Sequence, residues 1–215
     1  MKLVLFSHLT FFLAMHVDAN AGEKRIDEEK TYWENQDIRK ASLNFRLHGS
    51  VSRFIDRTSW LYYRTYSRST DNSKHICVYS TVKEKKPEDP FYEFEQGYTL
   101  EGNTNARVTE TLYATPYKTE SDPPGRNTEN AMTVTKTKGS KTGLKYQLIY
   151  SNYDSCDILR VLNQNGEHDC ELHIHDKAVD GEVPRYCETM YENACGKDHS
   201  SYKQKVYDPS CKKKN

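Results

Sequence analysis

The sequence has no excess charge of either sign: across 215 residues, 31 Lys and Arg balance 31 Asp and Glu. A balanced chain lacks the basic footprint of a nucleic-acid binder, so no nucleic-acid partner is expected. Beyond the N-terminus, no stretch approaches the about 18 apolar residues that a membrane-spanning helix needs. Asn-x-Ser/Thr is absent, so N-glycosylation is not expected. Also missing are a Gly-x-Ser-x-Gly elbow, a phosphate-binding loop and a dinucleotide fingerprint, which argues against an enzyme and implies no cofactor. Cysteine pairs at the short spacings of a structural zinc site are lacking too.

The chain opens on Lys2, runs apolar from Leu3 to Val17 with breaks at Ser7, His8, Thr10 and His16, and reaches Ala19-Asn20-Ala21. A basic start, a short apolar run and a small-x-small site read as a secretory signal peptide over residues 1–21. A domain over 22–215 that is secreted and extracellular follows. All six cysteines (Cys77, Cys156, Cys170, Cys187, Cys195 and Cys211) lie in that part, five of them after residue 150. An even count in a secreted chain reads as three disulfides, but spacing alone leaves fifteen connectivities open.

Glu23 to Ser42 is polar, and Trp33, Asp37, Ile38 and Ala41 give it a weak helical period, read as a short N-terminal helix. Short runs rich in Tyr, Thr and Val then alternate with turn residues: Trp60–Tyr66, His75–Val82, Phe91–Leu100, Arg107–Tyr113, Ala131–Lys136, Leu144–Tyr150, Asp157–Leu162 and Cys170–His175. These are strand signals with turn chemistry between them. The pattern predicts a mainly β fold, an eight-stranded antiparallel barrel whose closure removes free edges. A sandwich has the same strand count, but Thr, Tyr and Glu at alternating positions suit a polar cavity better than a dry core. Val183 to Cys195 reads as a helix packed outside the barrel, opened by Pro184 and stopped by Gly196, with Tyr186, Met190, Tyr191 and Ala194 on one face.

Cys156-Asp157-Ile158 and Glu171-Leu172-His173 fall on the last two predicted strands. Alternation puts Asp157 with Leu159 and Val161 on the inward face. For Glu171, His173 and His175, pattern alone leaves the inward face undecided. If both carboxylates face the cavity they need a counter-charge, because a buried unpaired carboxylate is costly. A cationic ligand supplies one, with tyrosines adding hydrogen bonds and cation–π contact. The plainer reading leaves Glu171 in solvent and has Asp157 cap a strand end.

Cys156, Asp157, Ile158, Glu171, Leu172 and Cys187, together with Trp60–Tyr66, Cys77-Val78 and the Pro184–Cys187 segment, resemble the tick salivary histamine-binding lipocalins, which bind biogenic amines. The resemblance spans most of the mature chain. It implies a lipocalin barrel, expected to be a monomer, that sequesters a small cationic amine of the host, histamine or serotonin, and so suppresses inflammatory and haemostatic defence. The implied ligand-binding residues are Asp157, Glu171, Tyr66 and His173, and the implied bridges are Cys77–Cys211, Cys156–Cys187 and Cys170–Cys195. The chain departs from the family where His173 replaces an aromatic residue after Glu-Leu, where 67–74 lacks the aromatic–acidic pair, and where Val134 stands near an expected Tyr.

Three other readings use other residues. A carrier of a lipid mediator of leukotriene or thromboxane type would employ Arg64 and Arg107. A binder of a host defence protein would use the loop Thr119 to Thr128. A metal site would draw on His168, His173 and His175, although no metal is expected.

Overall fold

The computed structural model describes residues 58–83, 89–119, 128–162, 168–196 and 202–212. The expected N-terminal helix and signal peptide lie outside these residues.

The elements in chain order are β1 (Thr58–Arg64), β2 (Ser69–Thr70), β3 (Ser73–Val82), β4 (Tyr92–Leu100), β5 (Asn103–Tyr117), β6 (Ala131–Thr135), β7 (Leu144–Ser151), β8 (Cys156–Leu162), β9 (His168–His175), α1 (Arg185–Cys195), β10 (Gln204–Lys205) and a 3-10 turn (Pro209–Lys212). Each consecutive pair from β3 to β9 is antiparallel, β9 pairs with β1, and β1 returns to β3 through Trp60 opposite Tyr79. Eight strands thus close into the predicted barrel. β2 and β10 are additions that the sequence pattern did not reveal.

Closure between β1 and β3 is partial. Their pairing covers only Thr58, Ser59 and Trp60. Beyond it the strands part, and the C-terminal segment fills the gap: β10 pairs with Tyr63 and Arg64, Val206 N–H donates to the Tyr62 carbonyl at 3.0 Å, and Cys77 N–H donates to the Val206 carbonyl at 2.9 Å. Cys77 is bridged to Cys211, which ties the inserted segment to the strand it completes.

Two large apolar cores and a smaller cluster of Leu61, Val78 and Val206 result. Inside the barrel pack Tyr92, Phe94, Leu112, Ala114, Val134, Tyr146, Leu148, Leu159 and Val161. Outside it, Trp60, Tyr79, Tyr150, Ile158, Leu172 and Ile174 form a second core with Met190 and Tyr191 of α1. Both strands are buried on both faces: β8 is largely apolar, whereas β9 alternates apolar Cys170, Leu172 and Ile174 with the buried polar Glu171 and His173. Pro184 stands at the N-cap of α1, and Gly196 ends it in the left-handed conformation at φ 77°, its N–H donating to the Glu192 carbonyl. The buried face is Cys187, Met190 and Tyr191. Tyr186, expected on that face, is instead exposed at 62%, with its ring 5.5 Å from that of Tyr150. Cys156–Cys187 and Cys170–Cys195 join β8 and β9 to the two ends of the helix.

Gly97 lies opposite Tyr79, and a Cβ built there would come within 2.2 Å of the Tyr79 ring. The missing side chain lets the ring lie flat across the strand, where it packs on Trp60 at a centroid distance of 5.4 Å.

Candidate functional site: an acid–histidine ladder on the inner wall

Directly opposed residues of an antiparallel pair project to the same face. Leu159 and Val161 belong to the inner core, and the register sets Leu159 opposite Glu171 and Asp157 opposite His173. Asp157, Glu171, His173 and, two residues on, His175 therefore all line the inner wall. The face left open by the sequence is thereby settled, and the reading with Glu171 in solvent is corrected: Glu171 is only 6% exposed. On the other side of Asp157, Ser151 of β7 stands opposite it.

Register shifts decide what else faces inward. Simple alternation from Leu61 would send Arg64 outward. A bulge between Leu61 and Tyr63 resets the phase, so that Leu61 opposes His173 and Arg64 opposes Glu171. Arg64 is buried at 3% exposure; its Nη2 donates to the His75 carbonyl at 2.9 Å, and its guanidinium lies over the Tyr66 ring at 5.6 Å. Arg107, named with Arg64 in the lipid reading, points to the outer side: it donates to the Cys211 carbonyl at 2.9 Å and covers Tyr79.

The polar side chains inside form two groups. Glu171 accepts a hydrogen bond from Tyr66 Oη on Oε1 and meets His173 Nε2 with Oε2 at 2.8 Å. Asp157 Oδ2 meets His175 Nε2 at 2.9 Å, while His175 Nδ1 lies 2.9 Å from the Asp154 carbonyl. Along this wall, acid and imidazole alternate. The structure thus brings Asp157, Glu171, Tyr66 and His173 together, and adds His175, Arg64 and Tyr146. The i, i+2 spacing of Glu171, His173 and His175 was a legible sign of a shared face. That the histidines would partner the acids was not, because pairing depends on the β8–β9 register.

The electrostatics follow from burial and charge. Burial by itself would raise the Glu171 carboxyl, but the His173 hydrogen bond and charge, the Tyr66 hydrogen bond and the Arg64 charge outweigh it and hold Glu171 below the usual carboxylate range. Burial, reinforced by the Glu171 charge, pushes the Tyr66 and Tyr146 phenols well above their ordinary value, so both are donors at neutral pH. Burial also pulls the Arg64 guanidinium down, with Tyr66 and Glu171 acting against that fall.

Among the described residues, no group of three His, Cys, Asp or Glu is arranged to hold a metal ion. His173 and His175 each meet a carboxylate, and the His168 side chain lies outside the described residues. Most of the Thr119–Thr128 loop lies outside them as well.

A closed eight-stranded antiparallel barrel with polar groups on its inner wall and a helix packed outside defines a lipocalin-type binding protein. Residues 26–213 match the family profile described as tick histamine binding protein. The chain belongs to that family. Among solved structures, it is similar to AM182 in its serotonin complex, with 17% identity over 80% of this chain and 91% of that one and a TM-score of 0.51. It is also similar to apocrustacyanin C2, with 10% identity over 85% and 87% and a TM-score of 0.50. At these identities the likeness concerns the fold. No curated protein sequence matches the chain.

Proposed function

We propose that the protein is a secreted, monomeric carrier that sequesters a small cationic amine of histamine or serotonin type inside its barrel, with Asp157, Glu171, Tyr66 and His173 around the ligand. The observation that carries this is the placement of two carboxylates beside tyrosine and histidine donors on one inner wall. Negative charge in a low-dielectric cavity attracts a cation more strongly than it does in water, and the aromatic groups Tyr66 and Tyr146 supply π-faces for it. Membership of a histamine-binding family supports the same reading. Sequestering such an amine would blunt inflammatory and haemostatic defence in a host. Histamine has about eight heavy atoms, so at the ceiling of about −1.5 kcal/mol per atom nanomolar binding is attainable. Replacement of aromatic walls by His173 and Val134 argues for weaker affinity than that ceiling.

The reading is tested by titrating serotonin into the wild type and the double variant Asp157→Asn, Glu171→Gln, following quenching of intrinsic fluorescence. Saturable binding lost in the variant is expected. Retention in a folded variant refutes a carboxylate-based site.

A second reading, a lipid-mediator carrier, is favoured by one feature. Arg64 is buried in the barrel with its Nε lacking a hydrogen-bond partner, close to apolar inner-wall residues. A leukotriene that binds while amines do not would establish it.

A further inference from the structure

The barrel has a seam that its main strands do not close by themselves. β4 and β5 pair without interruption from Tyr92 opposite Ala114 to Thr99 opposite Arg107. β1 meets β3 only over Thr58–Trp60. Further along, β1 faces the C-terminal segment instead, through Tyr63 opposite Lys205, Arg64 opposite Gln204, and the Val206 N–H on the Tyr62 carbonyl. On the other flank, Cys77 N–H donates to the Val206 carbonyl. The Arg64 side chain also spans this gap, reaching from β1 to the His75 carbonyl of β3 at 2.9 Å.

The inserted segment plugs the seam from both sides. Val206 packs with Leu61 and Val78, and Leu61 stands opposite His173 of the inner wall. Tyr207 packs outside, with its ring 5.2 Å from Trp60 and 5.8 Å from Tyr62. Withdrawing Val206 therefore uncovers the inner wall beside His173. The outer fastenings are polar and partly exposed: Lys203 meets Glu188 and Glu192 of α1, and Tyr207 Oη donates to Asp180 at 2.6 Å. Contacts of that kind are weak and reversible. The covalent tie to β3 lies beyond Val206, at Cys211. An extended chain reaches about 3.3–3.6 Å per residue, so with the bridge intact Val206 has a reach of about 17 Å from Cys211.

We infer that residues 203–207 form a lateral gate in the barrel wall, tethered at Cys211. The segment lifts out from between β1 and β3, admits a small molecule to the inner wall near His173, and recloses. Elements held by few backbone bonds open locally while the rest of a domain stays folded. The Cys77–Cys211 bridge keeps the lifted segment beside the opening, so reclosure is an intramolecular event at high effective concentration. The inference does not depend on which molecule the barrel holds.

Two measurements on the oxidised mature chain test the gate. The first is amide hydrogen exchange in the wild type at increasing urea. The Val206 and Cys77 amides are expected to exchange together, at least about 100-fold faster than the paired amides of β4 and β5, with a shallow urea dependence below the unfolding transition. Equal protection and an equal urea slope would mean that the seam opens only when the whole barrel unfolds, and overturn the inference. The second is carbethoxylation of His173 by diethyl pyrocarbonate, read by mass spectrometry, in the wild type and in the doubly substituted Tyr63→Cys, Lys205→Cys chain. Those two residues face each other across β1 and β10, so a bridge between them locks the gate shut. The lock is expected to slow the modification at least about ten-fold, because it removes the local opening. An unchanged rate in the locked chain means that the reagent enters by an end of the barrel, and overturns the lateral route. If the doubly substituted chain does not fold with its bridges correctly paired, the wild-type exchange measurement decides.

Discussion

Replacing Glu171 with glutamine removes a buried negative charge while nearly preserving shape. In the wild type, the carboxylate accepts from Tyr66 and pairs with His173 at 2.8 Å, and it offsets Arg64, which is 3% exposed. Hydrogen bonds to a charged group contribute about 1.5–3 kcal/mol each, and breaking a buried pair by neutralising one partner costs about 3–5 kcal/mol. The amide keeps one acceptor for Tyr66, so the loss is closer to that of one charge-assisted hydrogen bond than to that of a broken buried pair: about 2–3 kcal/mol at neutral pH. In a domain of this size about 1 kcal/mol moves Tm by roughly 2–4 °C, so a fall of roughly 4–12 °C is expected by scanning calorimetry. The pH dependence adds a sign. Glu171 sits below its ordinary value of 4.5, so its stabilisation is fully present above that pH and is lost as pH falls through the depressed folded value. The gap between wild type and Glu171→Gln should therefore be widest near neutrality and shrink in acid. A variant as stable as wild type at pH 7, or a gap that widens on acidification, refutes the electrostatic reasoning.

Other expectations follow from the same structure. The Cys77–Cys211 bridge spans 134 residues, against 31 and 25 for the other two. By loop-closure entropy it is worth about 5 kcal/mol, and the others about 3.5; paired Cys→Ser variants compared in urea unfolding should show that order, and a smallest loss for Cys77/Cys211 contradicts it. Gly97→Ala drives a methyl into the Tyr79 ring, which is held by Trp60, and should cost about 1–3 kcal/mol, read as a lowered urea midpoint with unchanged slope. Lys203 joins Glu188 and Glu192 of α1 at 2.7 and 2.6 Å, and all three groups are partly exposed. Lys203→Met should cost less than about 1 kcal/mol, and the loss should vanish in high salt.

The barrel was legible because its strands are short, rich in Tyr, Thr and Val, and separated by turn residues. The helix was legible from Pro184 and Gly196. What stayed hidden depended on phase. The bulge between Leu61 and Tyr63 turns Arg64 inward, and nothing in Trp60–Tyr66 marks where the extra residue falls. The same holds in β3, where Cys77 adopts φ 51° at the shift between Ile76 and Tyr79, and in β7, where a shift between Leu148 and Tyr150 sends Tyr150 outward and Ser151 inward toward Asp157. The inward face of Glu171 was ambiguous because β9 is buried on both sides, with Leu172 and Ile174 as deep as Glu171 and His173. The insertion of β10 between β1 and β3 had no local signal, since it is a two-residue strand placed by the Cys77–Cys211 bridge and the hydrogen bonds of Val206.

The most direct test of the account is isothermal titration of histamine into the oxidised mature protein at neutral pH, with a leukotriene titrated in parallel. Micromolar or tighter amine binding, with no heat from the lipid, is the predicted result. Lipid binding without amine binding would contradict it, and would mean that the inner-wall carboxylates serve only to hold Tyr66, His173 and His175, leaving Arg64 as the group that meets the ligand.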